Sequence, residues 1–153
     1  MTTYDSTDDT LAHISEVRIL LAGVVTDIQE RMRDHDKSKL EAPEKEIFDA
    51  VTPKLRTLTY GSPEYRESLE EMGPALDHHY SVNAHHPEHH EDGIHGMNLV
   101  DMIEMLADWK AATLRHEDGD LKRSIDINAE RFGYGEEIHT LLLTTARDLG
   151  WLE

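Results

Sequence analysis

The sequence contains no cysteine, which excludes disulfide bonds, thiolate metal ligands and a cysteine nucleophile. It also has no long apolar run: nothing approaches the ~18 apolar residues of a membrane span, and the N-terminus has no apolar signal core. We therefore expect a soluble, cytoplasmic protein that has no membrane partner.

Basic residues are scarce, with 15 Lys and Arg against 32 Asp and Glu and a formal net charge of -17. Affinity for duplex nucleic acid comes mainly from Lys and Arg, so a nucleic-acid partner is not expected. A small anionic substrate would need a bound cation or a local basic cluster. The 153 residues suit one domain, 1–153, in which we expect residues 1–9 to be flexible.

Strand-like alternation of apolar and polar residues is absent, whereas apolar residues recur at steps of three and four. The sequence therefore predicts an all-α fold, a helical bundle. Pro43, the Thr52-Pro53 connection and Gly73-Pro74 are expected to interrupt it. The predicted helices cover about residues 9–33, 36–48, 63–72, 75–82, 98–115, 121–131 and 136–149.

Histidine is abundant, and seven of the eleven histidines lie between His78 and His95. Imidazoles with carboxylates are ligands of transition metals, so we interpret the chain as a metal-site scaffold. If the segment is helical up to Pro87, His79, Asn83 and His86 share one face, and His78 and His85 share its neighbour. Only one set can then point inward. We favour His79 and His86, with Asn83 near the substrate; the alternative is a solvated loop that binds metal adventitiously.

Two further groups of residues offer metal ligands. His13 lies on the apolar side of the first helix, as either a hydrogen-bonded core residue or a ligand. Asp101, Glu104 and Asp108 fall within a ~60° wedge of a later helix, opposite its apolar residues. That wedge is either a solvent-facing acidic stripe or a ligand-bearing face.

The segment His35-Asp36-Lys37-Ser38-Lys39 resembles the His-Asp-x-Gly-Lys signature of HD-domain metal-dependent phosphohydrolases, with serine in place of glycine. The segment that begins Ala107-Asp108 and ends at Arg115 looks like the part of those proteins that carries the last ligand. The resemblance implies a helical bundle with one divalent ion on His13, His35, Asp36 and Asp108, and a second ion beside His79 and His86. The short gap between His13 and His35 and the missing Gly-Tyr-Pro motif argue against cyclic-dinucleotide cleavage.

The combined motifs, over about residues 10–150, also resemble a small uncharacterised family of phages and bacteria. The resemblance implies a phosphohydrolase for a nucleotide or other small phosphate ester, in the host cytoplasm if phage-encoded, with one or two ions of Mn, Fe, Co, Ni or Zn. Asp36 would orient the attacking water, and Lys39, Asn83 and Arg115 would contact the substrate. The alternatives are a di-iron oxygenase and a non-catalytic nucleotide- or metal-binding protein. HD-type bundles often pair, so the resemblance also allows a homo-oligomer.

Overall fold

The computed structural model describes residues 4–55, 57–58, 63–115 and 119–152, without the side chains of residues 65, 66 and 69. The described residues form helices and no strand, so the all-α prediction is confirmed. Short 3-10 helices cover Lys37–Leu40, Pro87–His89 and Gly93–Gly96. The α-helices are α1 (Thr7–Asp34), α2 (Glu44–Leu55), α3 (Pro63–Glu71), α4 (Gly73–Val82), α5 (Leu99–Thr113), α6 (Leu121–Phe132) and α7 (Glu136–Asp148).

The chain divides into two compact units, residues 1–35 and 36–153. The first unit contains α1, whose opening turn carries Asp8 and Asp9, in agreement with the helix dipole. No described residue of α1 is buried, since a lone helix has no second element within its unit to pack against. His13 is exposed within this unit, and its predicted role as a core residue or a ligand stays a prediction. Compact units need not fold separately, so this division does not test the prediction of a single domain over residues 1–153.

The core of the second unit is formed by α5, α6, α7 and the loop before α5. Trp109 and Phe132 stack at its edge with ring centroids 6.3 Å apart, and the Tyr134 hydroxyl donates a hydrogen bond of 2.7 Å to the Ile125 carbonyl. This bond satisfies the polar end of an otherwise buried ring. The buried apolar residues of this core are Ile94, Met97, Met105, Leu106, Leu121, Ile125, Tyr134, Leu142 and Ala146.

A second layer packs α2 against α4 and the first 3-10 helix. The predicted helix over 36–48 is wrong in its bounds: a 3-10 turn precedes Pro43, and α2 begins only at Glu44. The predicted connection at Thr52-Pro53 is also wrong, because α2 continues to Leu55 with Pro53 in its last turn. Pro53 lacks the N–H that would reach the carbonyl four residues earlier, so this turn loses one hydrogen bond, but only two residues of the helix follow it.

The other helix bounds agree with the prediction more closely. A helix begins at Pro63, a new one begins at Gly73, and α6 and α7 end within one residue of expectation. The sequence also predicts Ser62 as the cap of the helix that begins at Pro63, and a loop with Glu117 and Asp118 after the helix over 98–115; these three residues lie outside the described residues. Among the described helices, none has both the length and the apolar character that crossing a membrane requires.

The N-terminus of α5 is held by a capping box. The Asn98 side chain accepts hydrogen bonds from the backbone N–H groups of Val100 (2.8 Å) and Asp101 (3.0 Å). In return, the Asp101 carboxylate accepts the backbone N–H of Asn98 at 2.9 Å. These bonds satisfy donors that the helix itself leaves open and fix the direction in which α5 begins.

Removal of this cap has a measurable expected cost. Asn98→Ala should lower the free energy of unfolding by ~1 kcal/mol, because two N–H groups lose their acceptor. Urea denaturation followed by circular dichroism measures the change. Asn98→Asp keeps an acceptor oxygen and should stay close to the parent protein; equal losses in both variants would contradict the capping role.

Candidate metal centre

Four donor residues converge in the second unit: Asp36, His79, His85 and His86 each offer a ligand atom, all within 4.8 Å of one another. The Oδ1 atom of Asp36 lies 3.2 Å from His79 Nε2 and 3.6 Å from His85 Nε2. The Nε2 atoms of His79 and His86 are 2.9 Å apart. Donors on one tetrahedral ion with bonds of ~2.0–2.1 Å lie about 3.3 Å apart, so the spacing suits a single transition-metal ion.

Asp36 enters this cluster from a left-handed backbone conformation, with φ 56° and ψ 13°, at the start of the 3-10 helix. Aspartate tolerates this conformation better than most side chains do. Its Oδ2 atom accepts a hydrogen bond of 2.6 Å from the Lys39 ammonium, which also lies 5.5 Å from the centre of the Phe48 ring. Lys39 therefore places a positive charge beside the cluster, and the substrate contact predicted for it stays a prediction.

The histidine-rich segment is not helical as far as Pro87. Helix α4 ends at Val82, and Asn83 is extended, with φ -117° and ψ 103°. This break lets the chain turn, so that His85 and His86 both point toward His79. The premise that only one helical face could point inward is therefore wrong. The structure brings together the predicted pair, His79 and His86, and adds His85, which the sequence analysis left aside.

The carboxylate of Glu44, which is fully buried, lies behind His79. Its Oε2 atom is 3.0 Å from His79 Nδ1, and its Oε1 atom is 2.7 Å from His78 Nδ1. Burial alone would raise the pKa of Glu44, but the combined hydrogen bonds of His78, Ser38 and His79 lower it below its ordinary value. Glu44 is thus an ionised acceptor, and His78 is its partner rather than a member of the four-donor cluster.

Asn83 helps to decide which nitrogen of His79 carries the proton. Its amide nitrogen donates to the His79 carbonyl at 2.8 Å and to Ser38 Oγ at 2.9 Å, which uses both of its protons. His79 Nδ1 lies 3.0 Å from that amide nitrogen, 3.2 Å from Ser38 Oγ and 3.0 Å from Glu44 Oε2. Of these three neighbours, only the Glu44 carboxylate must accept a proton. We therefore assign the proton to Nδ1, which leaves the Nε2 lone pair facing Asp36 and His86.

A second carboxylate supports His85 in the same way. His85 is buried, and its Nδ1 atom lies 3.2 Å from Glu104 Oε1. Its Nε2 atom, on the other side of the ring, faces Asp36. A carboxylate behind each of two imidazoles is the arrangement that orients histidine ligands in metal sites. The donor cluster thus has two imidazole lone pairs directed at a carboxylate, an arrangement that favours a cation between them.

The acidic wedge of α5 faces inward. Asp101 is 2% exposed, and Glu104 and Asp108 are partly buried. Two apolar residues of the opposite side, Leu99 and Ile103, are 67% and 39% exposed. The alternative of a solvent-facing acidic stripe is therefore wrong. An oxygen of Asp108 lies within 4.8 Å of an oxygen of Asp36, which brings this predicted ligand to the edge of the cluster.

His86 is held in its neutral form. Burial, followed by the neighbouring rings of His85 and His79, lowers the pKa of His86 to about 3, although the Asp108 carboxylate opposes the shift. A neutral imidazole keeps a nitrogen lone pair for a metal ion. His86 is therefore ready to act as a ligand near neutral pH.

The remaining predicted residues lie elsewhere. His13 and His35 belong to the first unit, so their part in a metal centre stays a prediction. Arg115 follows the end of α5 and is exposed, and its predicted substrate contact is likewise untested. Two more loop histidines face backbone carbonyls instead of the cluster: His89 faces Tyr80 and His90 faces Ala84, each at 2.9 Å.

Glu44 is the residue that the sequence analysis missed. A carboxylate at the start of a helix ordinarily indicates a favourable interaction with the helix dipole, which hides any second role. The one available signal was the pair of adjacent histidines, His78 and His79, since ligand histidines commonly need a carboxylate partner. The sequence does not say which of 32 acidic residues supplies it.

The fold and the site together define an all-α protein with a partly buried cluster of histidine and carboxylate donors. A model of a family of unknown function (DUF5662) matches residues 2–149, and the chain belongs to that family. A search of curated proteins gave no match, and neither did a search of solved structures.

Proposed function

We propose that this protein is a metal-dependent phosphohydrolase, of the HD-domain type and cytoplasmic, that acts on a nucleotide or another small phosphate ester. One observation carries the proposal: Asp36, His79, His85 and His86 bring their donor atoms within 4.8 Å of one another, with carboxylates behind two of the imidazoles. The resemblance of His35-Asp36-Lys37-Ser38-Lys39 to the phosphohydrolase signature supports the choice of reaction.

The donor set indicates which ions fit. Three imidazoles and one carboxylate suit Mn, Fe, Co, Ni or Zn better than the oxygen-preferring Ca or Mg. A ligand atom of Asp108 lies within 4.8 Å of one of Asp36, so these two carboxylates would be the candidates to hold a second ion. The participation of His13 and His35 at a further ion is a prediction from the resemblance alone.

When bound, a divalent ion would lower the pKa of a coordinated water and polarise a phosphoryl oxygen. Asp36 would orient the attacking water through its carboxylate. The Lys39 ammonium, 2.6 Å from Asp36 Oδ2, would contact a phosphoryl oxygen and stabilise its negative charge. In a chain with a net charge of -17, this local cation also offsets repulsion of an anionic substrate. Glu44 and Glu104 would keep two imidazoles in the orientation that coordination requires.

A direct screen tests the reaction. The purified protein, freed of metal and then loaded with Mn, Fe, Co, Ni, Zn or Mg, is incubated with a panel of nucleotides and phosphate esters. Release of phosphate or nucleoside should depend on a transition metal and should disappear in a His79→Ala, His86→Ala double variant. Product formation that is equal in the double variant, or absent with every metal, would refute the proposal.

Two other outcomes of that screen correspond to other functions. Oxygen consumption by the iron-loaded protein, without phosphate release, would identify a di-iron oxygenase, since iron also accepts histidine and carboxylate ligands. Recovery of a bound nucleotide unchanged would identify a non-catalytic binding protein. Sedimentation of the same samples determines whether the protein forms the homo-oligomer that the resemblance allows.

Metal binding should also raise the free energy of unfolding of the protein. At a free metal concentration about 100 times the dissociation constant, Zn or Ni should add ~2.7 kcal/mol to the free energy of unfolding. Thermal denaturation with and without metal, and after chelation, measures this shift. Mg serves as the control, because the imidazole-rich cluster does not suit it. A melting temperature that is unaffected by all of the transition metals would contradict the site.

A further inference from the structure

The buried carboxylate of Glu44 has several hydrogen-bonding partners. It is the first residue of α2 and is 0% exposed, yet its two oxygens lie 2.7 Å from His78 Nδ1 and 3.0 Å from His79 Nδ1. The Ser38 hydroxyl also forms a hydrogen bond with it. Three elements therefore meet at one buried carboxylate: the 3-10 helix Lys37–Leu40, α2 and α4.

An unpaired buried carboxylate is costly, so its position requires compensation. Here each oxygen faces an imidazole nitrogen, and the two histidines are adjacent in the chain. An apolar side chain at position 44 would fill the same space with no such cost. The presence of a charge at a fully buried position therefore points to a role that only an acceptor can perform.

The acceptor acts on the far side of the His79 ring. A proton held on Nδ1 by Glu44 leaves Nε2 as a lone pair, and Nε2 lies 3.2 Å from Asp36 Oδ1 and 2.9 Å from His86 Nε2. With the proton on Nε2 instead, His79 would present an N–H donor to the cluster, and that nitrogen would have no lone pair for an ion. The Glu44 carboxylate thus selects the tautomer of His79 and fixes the plane of its ring.

We propose that Glu44 is a positioning residue of the metal centre, which makes His79 a ligand by holding its proton on Nδ1. This inference rests on the proposed function, because it assigns Glu44 a role in binding the ion. His78 contributes by engaging the other oxygen of Glu44, which keeps the carboxylate from rotating. A purely architectural Glu44 would join α2 to α4 without any effect on the protonation of His79.

The experiment compares wild type with Glu44→Gln and with Glu46→Gln, an exposed glutamate of the same helix. In the metal-free proteins, the nitrogen chemical shifts of the His79 ring report its tautomer, and a His79→Asn spectrum identifies its signals. Binding of Co or Zn is then measured by calorimetry, well below the melting temperature. Circular dichroism establishes that each variant is folded.

Wild type and Glu46→Gln should show the Nδ1–H tautomer and bind metal equally. Glu44→Gln should lose that tautomer preference and bind metal about 10–100-fold more weakly, as loss of a supporting partner does elsewhere. An Nε2–H tautomer in metal-free wild type would overturn the inference, even if Glu44→Gln does not fold. So would equal metal affinity in a folded Glu44→Gln. Failure of wild type to bind any transition metal would instead remove the proposed function itself.

Discussion

Asp36→Asn should weaken the binding of Zn, Co or Ni by about 100-fold or more, the upper end of the loss seen when only a supporting group is removed. A factor of 100 corresponds to ~2.7 kcal/mol of binding free energy. Asp36 is the only carboxylate among the four donors of the cluster, and its Oδ1 atom lies within 3.6 Å of both His79 and His85. The neutral amide has no charge to offset that of the ion. Hydrolysis of any substrate found in the screen should be lost as well.

Asparagine is the informative replacement because it tolerates the left-handed conformation that Asp36 adopts, so the backbone should remain in place. Asp77→Asn is the matched control: it removes the same charge from an exposed position of α4, next to the histidine pair. Calorimetry on both variants separates a ligand from a nonspecific effect of charge. Similar affinities for the two variants would exclude Asp36 from the metal centre.

Ile125→Ala should lower the free energy of unfolding by ~2–5 kcal/mol, the usual range when a large aliphatic side chain leaves a cavity in a core. Ile125 is 0% exposed and belongs to the core that α5, α6 and α7 form. Its carbonyl also accepts the Tyr134 hydroxyl, so the site is fixed by polar and apolar contacts together. Neighbouring side chains therefore have little freedom to close the cavity.

The control for this variant lies two residues further along α6. Ile127 is 55% exposed, and Ile127→Ala should change the free energy of unfolding by ~0.5 kcal/mol or less. Urea unfolding curves of the two variants measure the contrast. A small loss for Ile125→Ala, or equal losses at both positions, would show that α6 does not pack by the face assigned to it here.

The helices from α3 onward were largely predictable, because their ends carry local signals. Gly73-Pro74 stops one helix and starts the next, and Asn98 provides the side-chain acceptor of a capping box. The region 36–55 was predicted less well. Pro53 indicated a break, and it does remove one backbone hydrogen bond, but only two residues of α2 follow it and the packing of α2 on α4 holds the helix together.

The candidate site was predictable in its residue types but not in its detailed geometry. His79, His86, Asp36 and Asp108 could be proposed from their spacing and from the resemblance, and the structure brings them near one another. The inward position of His85 follows from the break at Asn83, which a helical wheel cannot represent. Glu44 was hidden for a different reason: its role depends on tertiary contacts with His78 and His79.

Three of the four donors, His79, His85 and His86, come from one short stretch of chain, whereas Asp36 comes from far upstream. An ion bound to all four would tie these distant segments together and close the intervening polypeptide into a loop. Because the four donors meet only in the folded chain, the free energy of binding the ion would favour the folded state. In a sequence without cysteine, the bound ion would provide a long-range cross-link of the folded chain that no disulfide bond can form.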